Sequence, residues 1–131
     1  MILDSSAIVA ILRVEPEADD FIRVVASAAN CRVSAVNYVE AAVVIDGKKN
    51  PITSRRFDDF FRISRITVEP VTPRTAEIAR AAYRDFGKGN HKAGLNFGDC
   101  FAYALAKEMD EPLLFKGTDF GHTDVEPARG N

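Results

Sequence analysis

The feature that most constrains the fold is the alternation of short apolar segments with stretches of helical periodicity. The apolar segments lie at residues 1–3, 31–34, 66–71 and 113–115, and a short fifth strand is predicted at 124–126. Helical patterns separate them, as expected for parallel strands, which need a crossover connection from one strand to the next. The sequence therefore predicts an α/β fold with a short-stranded, mostly parallel central sheet and helices on both faces.

Most predicted helices begin at recognised start signals, which are capping side chains such as Asp4-Ser5-Ser6 or a proline in the first turn. The predicted helices run over 7–12, from Pro16 through Val25, from Ser34 or Asn37 to Ile45, from Pro51 through Ser64, from Pro73 to about Phe86, and over 96–109. The chain has 131 residues with no repeat and no linker, so one domain over 1–131 is expected.

The overall charge and the cysteines limit the classes of function. The formal net charge is −2, so a nucleic-acid partner must be held by local basic patches or by metal ions. Cys31 and Cys100 lie far apart among apolar neighbours, which predicts buried thiols rather than a zinc site and fits a reducing cytoplasm. The first residues lack the basic region of a signal peptide, and no apolar run approaches the roughly 18 residues of a membrane span. A cytoplasmic protein without a membrane segment is expected.

Four acidic residues flank the predicted strands in a way that favours a shared site. Asp4 follows the first strand, Glu40 lies about one turn into the helix after the second, and Asp119 follows the fourth. Asp99 lies in the first turn of the helix that precedes the fourth strand. Ligands of open α/β sheets bind at the carboxyl ends of the strands, so the first three acids are expected near that edge. Asp99 joins them if its helix begins there.

Carboxylates gathered in one place predict a hard divalent cation. Crowded carboxylates repel one another, and Mg²⁺ or Mn²⁺ relieves this conflict through the oxygen ligands it prefers. The sequence has no His/Cys set for zinc, so magnesium-assisted phosphate chemistry is favoured.

Each of the four acids also has an ordinary structural interpretation. Asp4 is placed to cap a helix, and Glu40 to be a solvated helix residue. Asp99 suits the dipole of its helix, and Asp119 suits a turn. Four other acids are interpreted as solvated residues on outer helix faces and serve as a contrast: Asp19, Asp20, Asp58 and Asp59.

Four segments spread over nearly the whole chain match a known pattern. They are MILDSSAIVAIL at the start, VSAVNYVEA around Glu40, LNFGDCFAYALAKE around Asp99 and LLFKGTDFGHTDVEPA near the end. In these segments the chain resembles the VapC toxins of bacterial toxin–antitoxin pairs, which are PIN-domain ribonucleases. The resemblance implies a three-layer α/β/α PIN-like fold. It also implies a magnesium-dependent endoribonuclease, with manganese as a substitute, whose products carry a 3′-hydroxyl and a 5′-phosphate.

The same resemblance assigns roles to individual residues. Asp4 and Asp99 look like the principal metal-site acids, and Glu40 and Asp119 complete a catalytic, metal-binding quartet. Thr118 resembles the small hydroxyl residue that PIN domains often carry before the last acid. The family further implies a VapB-type antitoxin that covers the site, an RNA substrate and a homodimer. One departure lies in loop 89–93, where a lysine follows the histidine in place of the usual proline.

Further groups have two interpretations each. Arg80, Arg84 and Lys88 form a basic stripe at four-residue spacing that either faces solvent or holds RNA phosphates. A second basic group has the same two interpretations: Arg55, Arg56, Arg62 and Arg65. An aromatic group is either core or a face covered by a partner or a second copy: Phe57, Phe60 and Phe61. Asp124 is expected to be structural, and His91 to be a poor general base because it lies in a flexible loop.

Three other protein classes share parts of this pattern. A receiver-type signalling domain needs an acidic pair after the first strand and an acceptor aspartate after the third, where Glu69-Pro70 stands instead. A haloacid-dehalogenase-like phosphatase needs Asp-x-Asp after the first strand, and Ser6 occupies the second of those positions. A catalytically silent PIN fold that only binds RNA or an antitoxin is the alternative to the enzyme.

Overall fold

The computed structural model describes residues 1–128, which form four β-strands, six α-helices and one short 3-10 helix. The strands are β1 (Ile2–Leu3), β2 (Arg32–Ser34), β3 (Thr67–Glu69) and β4 (Leu113–Leu114). The helices are α1 (Ser5–Leu12), α2 (Ala18–Ser27), α3 (Ala35–Asp46), α4 (Pro51–Ile63), α5 (Pro73–Phe86) and α6 (Phe97–Met109), and the 3-10 helix is Asp119–His122. None of the helices in this part of the chain is long and apolar enough to span a membrane.

The four strands form one parallel sheet in the order β3-β2-β1-β4. The central strand β1 pairs with β2 at Ile2↔Arg32 and with β4 at Ile2↔Leu113 and Leu3↔Leu114. After β1 the chain first builds the sheet in one direction through β2 and β3, and then returns to add β4 on the other side. The switch in direction therefore lies between β1 and β4, and ligands of such sheets bind at the carboxyl ends of the strands near this point.

Successive residues of β1 and β4 face opposite sides of the sheet. Ile2 and Leu113 lie in a core with α5 and α6, whereas Leu3 and Leu114 lie in a core built with α1, α2, α3 and α4. This alternation follows from the two-residue period of a strand. Both faces are covered here, which explains why β1 and β4, whose residues are all buried, are apolar throughout. Each fully buried Ile or Leu contributes about 1.5 to 3 kcal/mol through the surface it removes from water. The predicted three-layer α/β/α fold is confirmed.

Most predicted element positions agree with the structure, but the start of the second helix is wrong. Pro16 does not open α2, which begins at Ala18. A turn comes first, closed by a hydrogen bond from the Ala18 N–H to the Glu15 carbonyl oxygen at 2.9 Å. Strands β3 and β4 are also shorter than predicted, because pairing ends at Glu69 and at Leu114.

The predicted fifth strand at 124–126 is also wrong. The chain there makes only an isolated parallel bridge, Leu113↔Pro127. Asp124, which was expected to be structural, accepts hydrogen bonds from the Tyr103 hydroxyl at 2.6 Å and from Lys107 Nζ at 3.0 Å. These contacts tie Asp124 to α6, and backbone hydrogen bonds with Leu113 begin only at Glu126, so residues 124–125 do not extend the sheet.

Candidate active site

Asp4 lies at the carboxyl end of the central strand and is almost fully buried, with 2% of its surface exposed. It caps α1, and its Oδ2 accepts a hydrogen bond from the Ser6 backbone N–H at 3.0 Å. The other oxygen, Oδ1, is buried and has no hydrogen-bond partner among residues 1–128. Burial raises the pKa of this carboxyl group, and the charge of Glu40 adds to the rise. An ionised Asp4 therefore presents a buried oxygen that the described chain leaves unsatisfied.

Glu40 enters the site from the second turn of α3, whose cap is Ser34. Its Oε1 accepts hydrogen bonds from Ser5 Oγ and from Asn37 Nδ2, the latter at 3.2 Å. Asn37 is fully buried, and its Nδ2 also donates to the Gly98 carbonyl oxygen at 3.0 Å. The Glu40 carboxylate is therefore fixed from two other helices, α1 through Ser5 and α6 through Asn37 and Gly98.

Asp99 occupies the third position of α6, in a capping box with Asn96. Its Oδ2 accepts from the Asn96 N–H at 3.0 Å, and Asn96 Oδ1 accepts from the Asp99 N–H at 2.9 Å. Burial raises the pKa of Asp99 to about 6, and the charges of Asp4, Glu40 and Asp119 add to the rise. The start of α6 therefore lies at the carboxyl edge of the sheet, as the site requires, and the other three acids all act electrostatically on Asp99.

Asp119 is exposed at the start of the 3-10 helix that follows β4. The chain around it is held on both sides. Before it, the Lys116 N–H donates to Ser6 Oγ at 3.0 Å, which ties the loop to the start of α1. After it, the buried Phe120 packs against Phe115 with ring centroids 5.1 Å apart. Asp119 is the most exposed of the four acids.

Three helices present their N-termini to this edge of the sheet. Asp4 caps α1, Ser34 caps α3 and Asn96 caps α6. The N-terminus of a helix carries a partial positive charge and unpaired N–H groups, which favour nearby anions. These helices partly offset the repulsion among the acids, and they also favour a phosphate group at the same place.

The donor chemistry of the four acids fits a hard divalent cation. The candidate ligands are carboxylate oxygens, one of them is buried without a hydrogen-bond partner, and two of the acids have raised pKa values. Residues 1–128 contain no three His, Cys, Asp or Glu side chains already placed to hold an ion. Asp4 and Asp99 are the best candidate ligands, with Glu40 and Asp119 beside them.

Three further residues belong to the site but were not singled out by sequence reasoning. Ser5 and Asn37 hold Glu40, as described above, and Gly98 makes room for it: a Cβ on Gly98 would lie 2.2 Å from Glu40 Oε2. All three lie inside the quoted segments DSSA, VNYVE and NFGD. Their proximity to acids in the sequence was the available signal, but Asn37 had been interpreted only as a possible helix cap.

The remaining singled-out groups lie elsewhere or have structural contacts. His91 Nδ1 accepts from the Ala93 N–H at 3.0 Å, and its ring meets the Phe86 ring edge-on, so this histidine shapes its loop. The Arg80, Arg84 and Lys88 stripe is exposed, and so is the second basic group. Among the aromatics, Phe57 is buried in the core and contacts Phe61, and Phe60 packs against the same cluster. Cys31 and Cys100 are buried free thiols, as predicted.

The raised acid pKa values predict how stability depends on pH when metal is absent. Asp99 ionises at an ordinary pKa of 3.8 in the unfolded chain and at about 6 in the folded one. Between about pH 4 and pH 6 the folded state therefore binds protons that the unfolded state has released. We expect the free energy of unfolding to fall as the pH rises through this window. Urea unfolding in EDTA at a series of pH values measures this free energy. In the Asp4→Asn, Asp99→Asn double variant, the free energy of unfolding should fall clearly less over the same pH range. Equal slopes for parent and variant would contradict the expectation.

Comparison with known proteins places this geometry in a family. The chain matches the PIN domain family over residues 1–126. It is 52% identical to Ribonuclease VapC28 of Mycobacterium tuberculosis, an alignment that covers 98% of this chain and 97% of that protein. It is 44% identical to Ribonuclease VapC30 of the same species, with 95% of each chain covered.

Solved structures agree with this assignment at the level of the fold. Mycobacterium tuberculosis VapC20, described as a toxin that cleaves the sarcin–ricin loop, superposes with a TM-score of 0.76 at 16% identity over 98% of each chain. A toxin–antitoxin complex from Klebsiella pneumoniae gives 0.69 at 18% identity, covering 94% of this chain and 92% of that one. The chain belongs to the PIN-domain family, among the VapC ribonucleases.

Proposed function

We propose that this chain is the toxin of a type II toxin–antitoxin pair, a magnesium-dependent endoribonuclease that hydrolyses RNA phosphodiester bonds. The observation that carries the proposal is the quartet of Asp4, Glu40, Asp99 and Asp119 at the carboxyl edge of the sheet, in a fold and family whose relatives are named ribonucleases. Manganese is expected to substitute for magnesium, because both ions prefer oxygen ligands.

Asp4 and Asp99 are proposed to hold the ion, with Glu40 and Asp119 completing its surroundings. The buried Asp4 Oδ1 lacks a hydrogen-bond donor among the described residues, and a cation would satisfy it. Because no three acids are already placed around one point, ion binding would draw the carboxylates together. When bound, the ion supplies charge stabilisation at the phosphate and lowers the pKa of a water molecule.

The chain's own groups supply the rest of the chemistry. The N-termini of α1, α3 and α6 favour the phosphate anion at this edge. Glu40 keeps its Oε1 occupied by Ser5 and Asn37, which leaves Oε2 as the oxygen that orients the attacking water. Asp119, the most exposed of the four acids, meets the substrate from the solvent side. His91 is not assigned a proton-transfer role, because its Nδ1 is used within its own loop.

The partners follow from the same assignment. We infer a VapB-type antitoxin that covers the acidic site, and a cytoplasmic location in which the two buried thiols stay reduced. We further infer that two copies pair, and exposed apolar side chains on α3 and α4, including Val39, Val43 and Ile52, support the presence of such an interface. The exposed arginines and Lys88 beyond the acids are available to hold RNA phosphates.

Metal dependence tests the proposal directly. We expect cleavage of total RNA in Mg²⁺ or Mn²⁺ and its loss in EDTA, because metal charge stabilisation supplies several kcal/mol of the barrier reduction. The melting temperature should rise with added metal by mass action. The Asp4→Asn, Asp99→Asn double variant should largely lose that rise. Full cleavage in EDTA would refute the metal mechanism. No cleavage under any condition would favour the alternative, a catalytically silent PIN fold that only binds RNA or an antitoxin.

A further inference from the structure

Asn37 is the buried polar residue that joins two of the acid-bearing helices. Its side chain is fully buried, and its Nδ2 donates both to Glu40 Oε1 at 3.2 Å and to the Gly98 carbonyl oxygen at 3.0 Å. Its Oδ1 has no partner among residues 1–128. Burying an amide with an unsatisfied oxygen is costly, and an apolar side chain would fill the same space more cheaply. The reason for an amide at this position is therefore its nitrogen, which links the Glu40 carboxylate to α6.

Gly98 lies directly beside the Glu40 carboxylate. The backbone does not require glycine, since φ at position 98 is not in the left-handed region occupied by Gly89, Gly94 and Gly117. A Cβ on Gly98 would lie 2.2 Å from Glu40 Oε2 and 2.7 Å from Glu40 Cδ. Alanine is favoured over glycine within a helix, so the missing side chain has a packing reason. That reason is the space occupied by the carboxylate.

Ser5 completes the surroundings of Glu40 from the third side. It directly follows Asp4, and its Oγ donates to the same Glu40 Oε1 that accepts from Asn37. A continuous set of contacts therefore runs from Asp4 through Ser5 to Glu40, and on through Asn37 and Gly98 to the neighbour of Gly98, Asp99. The position of Glu40 relative to the two principal acids depends on these contacts.

We propose that Ser5, Asn37 and Gly98 are positioning residues that hold the Glu40 carboxylate between Asp4 and Asp99. The proposal rests on the proposed catalytic role of Glu40. It assigns the three residues no contact with substrate or metal. Gly98 acts by leaving space, Asn37 by fixing the carboxylate to α6, and Ser5 by fixing it to the residue after Asp4.

Gly98→Ala is the decisive variant. The new methyl group meets the far end of a flexible side chain, so the carboxylate moves while the fold stays intact. We expect a melting temperature close to that of the parent, a kcat for RNA cleavage at least about tenfold lower and a KM within about twofold, because substrate contacts are unchanged. The matched control is Gly121→Ala, whose Cβ meets nothing within 4 Å although it lies only two residues from Asp119. It should cleave like the parent.

A double-mutant cycle separates positioning of Glu40 from any other effect of Gly98. In the background of Glu40→Gln, the substitution Gly98→Ala should cause little further loss, since both changes act on the same group. A full additional loss in the double variant would overturn the proposal. A folded Gly98→Ala variant with the kcat of the parent would overturn it as well. Parent-like cleavage by Glu40→Gln would instead remove the role of Glu40, and with it part of the proposed mechanism.

The position of the Glu40 carboxylate can also be followed without measuring cleavage. The carboxyl carbon of Glu40 is observable by NMR in protein labelled with ¹³C-glutamate, without metal or RNA. We expect its resonance to move in Gly98→Ala and in Ser5→Ala, and to stay in place in Gly121→Ala. The manganese-induced rise in melting temperature should also shrink in Gly98→Ala. An unmoved Glu40 resonance in both Gly98→Ala and Ser5→Ala would contradict the proposed contacts.

Discussion

Replacing Asp99 with asparagine is expected to reduce RNA cleavage by roughly a hundredfold or more, and Asp4→Asn should do the same. Asparagine keeps the shape of the side chain and an oxygen that can accept from the Asn96 N–H, so the helix cap survives. What it removes is one negative charge at the proposed metal site. Glu40→Gln and Asp119→Asn should reduce cleavage less, and high manganese should partly restore it. A cleavage assay on total RNA with magnesium gives the rates.

The stability of the same variants distinguishes lost chemistry from lost folding. Burial and three neighbouring charges hold the pKa of Asp99 at about 6, so an ionised Asp99 destabilises the metal-free protein at neutral pH. Asp99→Asn should therefore raise the free energy of unfolding in EDTA by about 1 kcal/mol, allowing for the screening of a partly exposed side chain. Asp58→Asn, exposed on α4, is the control and should change neither cleavage nor stability. A folded Asp99→Asn variant that cleaves like the parent would exclude the proposed mechanism.

Expression of the chain alone in a bacterial host is expected to stop growth. The reason is catalytic turnover, since one folded ribonuclease molecule cleaves many RNA molecules, and the relatives of this chain are named VapC ribonucleases. Co-expression of a VapB-type antitoxin should restore growth by covering the acidic site. Plating with and without inducer measures the effect, which should span several orders of magnitude in colony number.

The Asp99→Asn variant shows whether growth arrest is caused by RNA cleavage or only by a high level of the expressed protein. It should accumulate as folded protein and permit normal growth, while Asp58→Asn should arrest growth like the parent. Sequencing the new 5′ ends that appear in cellular RNA soon after induction identifies the cleaved RNA. Normal growth at high levels of the folded parent protein would contradict the assignment as a toxin.

The sequence predicted the layered fold and the acids because these depend on local patterns. The apolar segments that became β1 and β2 are short but flanked by strong helix signals, and the start of α6 is marked by Asn96 and Asp99 in a capping box. Asp4, Glu40 and Asp119 come shortly after strands, and the carboxyl ends of parallel strands lie on one edge of the sheet. Asp99 is different, since its place at that edge depends on where α6 begins.

The parts that could not be predicted depend on contacts between helices. Asn37 appears in the sequence as one more polar residue near a helix start, and only the packing of α3 on α6 shows that it joins Glu40 to Gly98. The role of Gly98 depends on its packing against Glu40, where a side chain at position 98 would meet the carboxylate. The false fifth strand has a similar origin, because the Asp124 side chain is held by Tyr103 and Lys107 while backbone pairing with Leu113 begins only at Glu126.

The position of β1 at the centre of the sheet has a consequence for synthesis on the ribosome. β1 is made first, yet its pairing with β4 at Ile2↔Leu113 and Leu3↔Leu114 waits for nearly the whole chain. Contacts so distant in sequence form late and slowly. Asp119 lies beyond β4, so the quartet is assembled only after that strand has been translated. A growing nascent chain therefore carries Asp4 and Glu40 without their partners, and the translating ribosome is not exposed to a finished nuclease.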